Sequence, residues 1–405
     1  MPNKHMTHYC KGGMVCFMIL SLLIGCAQNE ELGHQEQTTV APDYEEQRPS
    51  QNGDGQEGVG NEEDTEERTD DEERTTDGGF IRVTKAETLA SNLDIPWAMT
   101  KWDGVFFITQ REGSMARVEN GQVRQEELKL TKDVLHHGEG GLLGFTLDPD
   151  FDDNHLAYVY HTYREEGTPY NRVAAVQYLE GTWVEQRSVI EGIRGDQFHN
   201  GGRLKIGPDG LLYITTGDAW EGEQSQDHTT LAGSILRLER DGSIPEDNPF
   251  RQSPVYSYGH RNPQGLAWDA TEQVLYSSEH GPQGYDEINR IVPGKNYGWP
   301  TITGDQQQKD LIPPLFHSGE DTWAPSGMIF HRGIIYVACL RGSMVRAFDP
   351  HTGATDVIWQ GEGRIRDIHM DDDERLYIIT NNIDGRGQPD QMDDRLIELH
   401  YEELK

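Results

Sequence analysis

The sequence predicts an all-β catalytic domain over residues 80–405, a six-bladed β-propeller with four-stranded antiparallel blades. Three observations predict it. From residue 80 onward, short apolar runs rich in Val, Ile, Tyr and Phe alternate with Gly, Asp, Pro and Asn turns, and no long stretch carries helical periodicity. An apolar-aromatic element after an acidic or glycine turn recurs as "DGVFFIT" (103–109), "NHLAYVY" (154–160), "DGLLYIT" (209–215), "EQVLYSS" (272–278), "RGIIYVA" (332–338) and "ERLYIIT" (374–380). A second element, with Arg before an apolar residue, follows most copies: "GSMARV" (113–118), "GSILRL" (233–238), "DEINRI" (286–291), "GSMVRA" (342–347) and "DDRLIEL" (393–399). The shared aromatics Phe106, Tyr158, Tyr213, Tyr276, Tyr336 and Tyr377 stand 41 to 63 residues apart, the period of a blade with several strands. One or two such runs are ordinary hairpin chemistry; six in register are a repeat.

The residues before 80 read differently. Lys4 and Lys11 form a basic region, "MVCFMILSLLIG" (14–25) an apolar one, and "LIGC" (23–26) ends in a small residue followed by Cys26. The apolar run is shorter than the ~20 residues a membrane span needs. This segment, 1–26, resembles a bacterial lipoprotein signal, which implies cleavage before Cys26 and lipidation of its thiol. An ordinary secretory signal and a short anchor are the alternatives, and each places the rest of the chain outside the cytoplasm. Membrane contact then runs through the N-terminal lipid alone. Cys10 and Cys16 leave with the signal, so lipidation of Cys26 leaves Cys339 without a disulfide partner.

Residues 27–79 hold 18 Asp/Glu against 3 Arg, with runs such as "NEEDTEERTDDEER" (61–74). A segment with so little apolar surface cannot offset its ordering entropy, and it reads as a disordered acidic tether. The whole chain carries a net charge of −35. Without a basic excess to neutralise phosphates, nucleic acid is excluded as a partner. Cationic clusters inside the domain therefore stand out.

In a propeller the innermost strands line a central channel, so matching places in different repeats converge. The segments just upstream of the six aromatics are "DIPWAM" (94–99), "HHGEGGLLGF" (136–145), "FHNGGRLKI" (198–206), "GHRNPQGLAW" (259–268), "DTWAPSGMIF" (321–330) and "GRIRDIHM" (363–370). They place His199 in a ring with Glu139, Arg261, Asn262, Gln264, Thr322, Arg364 and Arg366, to which Arg341 adds a further cation. Each arginine alone reads as a surface salt bridge, but several facing one cavity repel one another unless an anion binds there. Guanidinium forks suit carboxylates or phosphates, so the expected ligand is a small polyanion. His199 alone reads as a turn residue; within the ring it is a candidate base. In "SEHGPQGYDEINRIVPGKNYGWP" (278–300), Gly and Pro turns let carbonyls converge beside Asp286 and Glu287, a set of hard oxygens suited to calcium; a long loop with solvated acids is the alternative.

The motifs "FHNGGRLKIGPDGLLYITTGD", "LRLERDGSIPEDNPF" (236–250), "GHRNPQGLAW", "EHGPQGYDEIN", "NYGWP", "WAPSGM" and "RIRD" together resemble the soluble quinoprotein glucose/sorbosone dehydrogenases, nearest their aldose sugar dehydrogenase branch. The resemblance runs from about residue 88 to 400. It implies a six-bladed propeller holding pyrroloquinoline quinone (PQQ) and calcium. By motif it implies His199 as the base that takes the anomeric hydroxyl proton while hydride passes to the quinone. Arg261, Asn262, Gln264, Thr322, Arg341, Arg364 and Arg366 are implied as cofactor contacts, and Glu139 and Trp323 as substrate neighbours. Gly281 and Pro282 are implied carbonyl ligands of the cofactor calcium, and Glu287 with the Tyr297 carbonyl of a structural calcium; Asp286 joins this set on its oxygens. Three departures stand out: Phe198 where the glucose enzyme carries an aspartate that orients the base, Arg341 where it has a lysine, and Asn381 in place of an acid. With shortened insertions, they favour a broader aldose substrate. The expected function is oxidation of an aldose to its lactone, with electrons passed to an external acceptor. A calcium-dependent sugar lactonase and a non-enzymatic ligand-binding propeller are the alternatives.

Overall fold

β-Branched and aromatic residues alternate with turn residues throughout residues 79–404, the part of the chain that the computed structural model describes. The predicted signal, Cys26 and all but the last residue of the tether lie outside the described residues. Strand β1 (Ile81–Ala90) comes first. It is followed by the antiparallel quartet β2 (Pro96–Trp102), β3 (Val105–Gln110), β4 (Ser114–Glu119) and β5 (Gln122–Lys129). A second quartet comprises β6 (Leu142–Leu147), β7 (Leu156–Glu165), β8 (Thr168–Leu179) and β9 (Thr182–Arg194), and parallel pairing of β5 with β9 joins the two into one eight-stranded sheet.

Three separate four-stranded sheets follow. They are β10 (Leu204–Ile206), β11 (Leu212–Thr216), β12 (Ser234–Leu238) and β13 (Val255–Tyr258); β14 (Pro263–Asp269), β15 (Val274–Glu279), β16 (Glu287–Ile291) and β17 (Phe316–His317); and β18 (Pro325–His331), β19 (Ile334–Cys339), β20 (Met344–Phe348) and β21 (Thr355–Gln360). The last sheet takes β22 (Ile365–Met370), β23 (Leu376–Thr380) and β24 (Leu396–Glu403), and is completed by β1 against β24. The fold is thus all-β and built of antiparallel four-stranded units. No helix among the described residues is long and apolar enough to cross a membrane.

The six repeat aromatics all fall on the second strand of a unit: β3, β7, β11, β15, β19 and β23. Their recurrence has a local cause. The hydroxyls of Tyr158, Tyr213 and Tyr377 donate to Asp148, Asp209 and Asp371 at 2.6, 2.9 and 3.0 Å. Each of these aspartates also accepts backbone N–H groups of the turn between the first and second strands. One carboxylate therefore closes a turn and caps the aromatic that follows it.

First strands stack in order, β2 against β6, β6 against β10, β14 against β18, β18 against β22 and β22 against β2. Apolar side chains fill the spaces between units: Trp183, fully buried, meets Phe107 and Phe145 edge-on at 5.2 Å each. Because the first two strands of each unit run antiparallel, the start of one lies beside the end of the other: Pro96 pairs with Gln110, Leu142 with His161, Pro263 with Glu279, Pro325 with Cys339 and Ile365 with Thr380. A register shift follows each of these pairs, the kind of bulge that re-aims side chains at a sheet's end. This end carries the site.

A chain beginning at residue 92 lacks β1 and leaves the edge of β24 bare. Calorimetry should show it unfolding about 10 °C below a chain beginning at residue 79; equal midpoints would mean that β1 is not part of the cooperative unit.

Candidate active site

A cavity of about 380 Å³ opens at that end. Five arginines line it, Arg111, Arg341, Arg364, Arg366 and Arg386, against three carboxylates, Glu139, Asp286 and Asp384. Arg366 is 5% exposed and gives Nη1 to Gln264 Oε1 (2.8 Å) and Ser326 Oγ (3.3 Å), and Nη2 to Asn381 Oδ1 (3.1 Å). Its Nε has no partner. Burial, offset only in part by Asp384 and reinforced by Arg364 and Arg111, pushes it down to about 9. Arg364 is held by Asp384 (3.1 Å) and the Asn381 carbonyl (3.2 Å). Asn381 thus cradles both arginines, and the acid missing at 381 is supplied by Asp384. Arg111 donates to the Gly138 and Gly140 carbonyls, its Nε also unpartnered. Arg341 makes no side-chain hydrogen bond to the described residues. Trp97 lines the cavity, with Arg203 at 4.4 Å and Arg366 at 5.7 Å over its ring.

His199 sits at the cavity's edge: Asn200 and Gly201 line it, His199 itself does not. The residue is 6% exposed and left-handed, with φ at +55°. A non-glycine in that region is strained, and such strain persists only where the surroundings fix it. Here Gly217 lets the chain pass, since a Cβ there would lie 1.8 Å from the His199 carbonyl oxygen. The ring's Nδ1 is 2.7 Å from Asp218 Oδ1, which leaves Nε2 as the unengaged nitrogen. Asp218 also accepts from Trp299 Nε1 (2.8 Å) and the Trp220 N–H (2.8 Å). The orienting carboxylate lacking at Phe198 therefore comes from the loop just after β11. Glu139 Oε2 accepts the His199 N–H at 3.1 Å while its Oε1 accepts Arg386 at 2.7 Å. Burial opposes ionisation of Glu139, but Arg386 together with the nearby imidazoles of His199 and His280 outweighs it and holds the carboxyl well below its usual range.

The loop after β15 forms another part of the wall, through His280, Gly281, Gln283 and Asp286. Asp286 commits both oxygens to hydrogen bonds, Oδ1 to the Gly281 N–H (2.9 Å) and Oδ2 to Thr322 Oγ1 (2.9 Å), the Trp323 N–H (2.6 Å) and the Ala324 N–H (2.8 Å). It fixes the loop and presents Thr322 to the cavity. The Trp323 side chain does not reach the cavity lining; it packs near Phe348 with Arg346 at 4.8 Å. Asn262 is buried behind the lining and accepts the Gly201 N–H (3.0 Å), while Arg261 binds the Gly281 carbonyl at 2.9 Å. Pro282 O accepts the Gly284 N–H.

Beside this wall, cross-strand neighbours Glu279 and Glu287 face a small pocket with Gly281, Pro282 and Tyr297. Burial and then the charge of Glu279 raise Glu287 to about 8. Asn289 donates to Glu287 at 3.2 Å, and its buried Oδ1 has no partner. Two crowded carboxylates face this pocket, and although Glu279 already accepts from His260 Nδ1 (2.9 Å) and the Arg261 N–H, their oxygens suit a hard cation, with the orphaned Asn289 carbonyl oxygen beside Glu287. A separate cluster, Asp269, Glu272 and His351, lies among residues that line neither pocket.

Of the residues expected from sequence, the cavity gathers Glu139, Gln264, Gly281, Asp286, Thr322, Arg341, Arg364 and Arg366. Sequence reasoning missed Arg111, Asp218, Asp384, Arg386 and His280, whose buried Nε2 is unpartnered and which burial lowers to about 4. A signal existed: Arg111, Asp218, Gly281 and Arg341 each stand five residues after a repeat aromatic.

The family model described as Glucose / Sorbosone dehydrogenase matches residues 93–390. The chain is 32% identical over 340 residues to the aldose sugar dehydrogenase YliI of Escherichia coli, across 74% of this chain and 90% of that one. It is 34% identical over 255 residues to quinoprotein glucose dehydrogenase B of Acinetobacter calcoaceticus, across 54% and 52%. Among solved structures it is similar to the PQQ-bound aldose sugar dehydrogenase from Streptomyces coelicolor, with a TM-score of 0.74, 37% identity, and 80% and 98% of the two chains covered.

The raised Glu287 has a pH signature. A carboxyl whose folded value lies above its ordinary 4.5 favours folding when protonated, so that contribution is present below about pH 4.5 and is lost as pH rises through about 8. Chelator-treated protein should melt at steadily lower temperature from about pH 5 to about pH 8. Glu287→Gln or an excess of divalent cation should flatten the slope; a slope that neither changes would place its origin elsewhere.

Proposed function

The chain belongs to the glucose/sorbosone dehydrogenase family, and from that premise we propose that it is a PQQ- and calcium-dependent sugar dehydrogenase. It oxidises aldoses at the anomeric carbon to lactones and passes the electrons to an external acceptor. Its relatives named as aldose sugar and glucose dehydrogenases support an oxidoreductase acting on sugars. We read the six four-stranded units as six propeller blades around the cavity, the closing one completed by β1. The same reading places the enzyme outside the cytoplasm, tethered through a lipid on Cys26.

The observation that carries the proposal is a cavity of surplus, partly orphaned guanidinium groups with an oriented histidine at its edge. The residues fit a tricarboxylate: Arg366 and Arg341 offer charge that no carboxylate pairs, Arg364 adds a guanidinium shared with Asp384, and Arg261, Asn262, Gln264 and Thr322 surround them with donors and supports. Gly281 and Pro282 offer carbonyl oxygens for the cofactor's calcium, and Glu279, Glu287, Asn289 and the Tyr297 carbonyl would hold a structural one. When bound, PQQ supplies the acceptor for an electron pair and calcium polarises it.

This chain's own residues handle the proton and the position of the sugar. Nε2 of His199 accepts the proton of the anomeric hydroxyl as the C1–H hydrogen leaves with its electron pair and the C1–O bond becomes a carbonyl. Asp218 holds the ring by Nδ1 and faces the positive charge the imidazole then carries. Trp299 fixes Asp218 from the other side. Glu139 fixes the backbone of His199. A lactonase whose metal is held by side-chain carboxylates is disfavoured, because Glu139, Asp384 and Asp286 are engaged by Arg386, Arg364 and loop N–H groups.

Protein stripped with chelator and resupplied with calcium and PQQ should reduce dye with a panel of aldoses, and should need both additions. His199→Ala should abolish turnover, and Arg364→Ala should raise the PQQ concentration required. If no sugar supports reduction while lactone is hydrolysed, the lactonase replaces this reading; if neither occurs, a binding propeller does. Asp218→Asn should lower kcat by about 100-fold or more while leaving PQQ binding unchanged; an unchanged kcat would remove Asp218 from the proton path.

A further inference from the structure

Trp220 keeps 59% of its surface exposed, more than any other large hydrophobic side chain among the described residues. Its ring centre lies 4.7 Å from that of His199 and 5.0 Å from that of Phe198, at interplanar angles of 42° and 40°. The backbone holds it there against preference: Ala219 and Trp220 are both left-handed, with φ of +51° and +65°. Asp218, which already orients His199, accepts the Trp220 N–H and pins the turn. The indole N–H makes no hydrogen bond to the described residues. Phe198 connects this surface to the cavity, because the guanidinium of Arg386, a lining residue, lies 5.7 Å from its ring. A large apolar surface held in water by a strained turn, beside the free nitrogen of a base, has no explanation in packing.

We propose that Trp220 and Phe198 form the platform on which the substrate's pyranose ring stacks, and that Trp220 is a specificity-determining residue favouring aldoses whose ring hydroxyls are equatorial. The inference rests on the reading of His199 as the base of an aldose-oxidising site. In such a ring the axial C–H bonds at C2 and C4 make an apolar face that lies against the indole and leave the axial C1–H on the opposite face, free for transfer, while the equatorial hydroxyls point sideways. The anomeric one then reaches His199 Nε2, and a neighbour can accept from the indole N–H. An axial hydroxyl places a polar group against the aromatic face, where it loses water and gains no partner.

The test uses the protein loaded with calcium and PQQ, with dye reduction by glucose, xylose and galactose; galactose alone carries an axial hydroxyl at C4. Trp220→Ala should raise KM for glucose and xylose about tenfold, the equivalent of one well-made apolar contact, with kcat within about twofold. For galactose the rise should stay below about threefold, so discrimination narrows. The PQQ titration should be unchanged, and Trp220→Phe should recover most of the glucose affinity. An unchanged KM for glucose, an equal rise for all three sugars, or a fall in kcat at constant KM would each overturn the platform. If the unsubstituted protein oxidises no sugar, the dehydrogenase reading itself fails, and the platform with it.

Discussion

Five guanidinium groups around one cavity repel one another, and the arrangement of this end of the molecule follows from how that repulsion is contained. Two carboxylates and several carbonyls hold them, but not to neutrality, since Asp286 spends its oxygens on Thr322 and loop N–H groups. Asp384 takes Arg364, Glu139 takes Arg386, and Asn381 spans Arg364 and Arg366 with its carbonyl and side-chain oxygen. Arg366 and Arg111 each keep a buried Nε without a partner. Arg203, which does not line the cavity, lies over the lining residue Trp97 and is already paired with Asp367 at 3.0 Å, so it adds no charge to this excess. In a chain of net charge −35 this local excess is a built feature, and a polyanionic ligand is the group that would complete it.

The fold could be read largely from periodicity because its repeat has a physical cause at each copy. An acidic turn residue closes the first hairpin and caps the next aromatic, so Asp148, Asp209 and Asp371 leave the same mark as Tyr158, Tyr213 and Tyr377. What the periodicity did not reveal is that the site draws on both sides of each aromatic. Upstream segments start the first strand, downstream residues end the second, and antiparallel pairing sets them side by side. The upstream segments point to Arg364, Arg366 and Gln264, and Arg341 enters as a further cation from the downstream side, but the equivalent downstream places Arg111 and Asp218 are passed over.

The other misses have different causes. Asp384 and Arg386 stand in a loop without strand periodicity, where no spacing rule points inward. Trp323 belongs to the right segment, yet its neighbours Thr322 and Ala324 line the cavity and its indole packs into the sheet interface instead. Asp286 reads as a metal ligand by its chemistry, while its oxygens in fact collect four donors from two loops. Composition supplies the oxygens; only the fold shows whether they are already engaged.

Placing an imidazole beside an arginine cluster raises a difficulty for the base role proposed for it, since nearby cations disfavour any further positive charge. The structure separates the two. His199 stands at the cavity's edge, with Asp218 against its ring and Glu139 against its backbone, and Glu139 is also the partner of Arg386. A proton arriving at Nε2 therefore meets a carboxylate on the far side of the ring, while the guanidinium groups keep their charge for the ligand. The left-handed turn at His199, and the glycine at 217 that it requires, are what this separation demands of the backbone. The sequence just before β10, histidine then asparagine then two glycines, is thus one device: it aims the imidazole and lets the chain turn away from it.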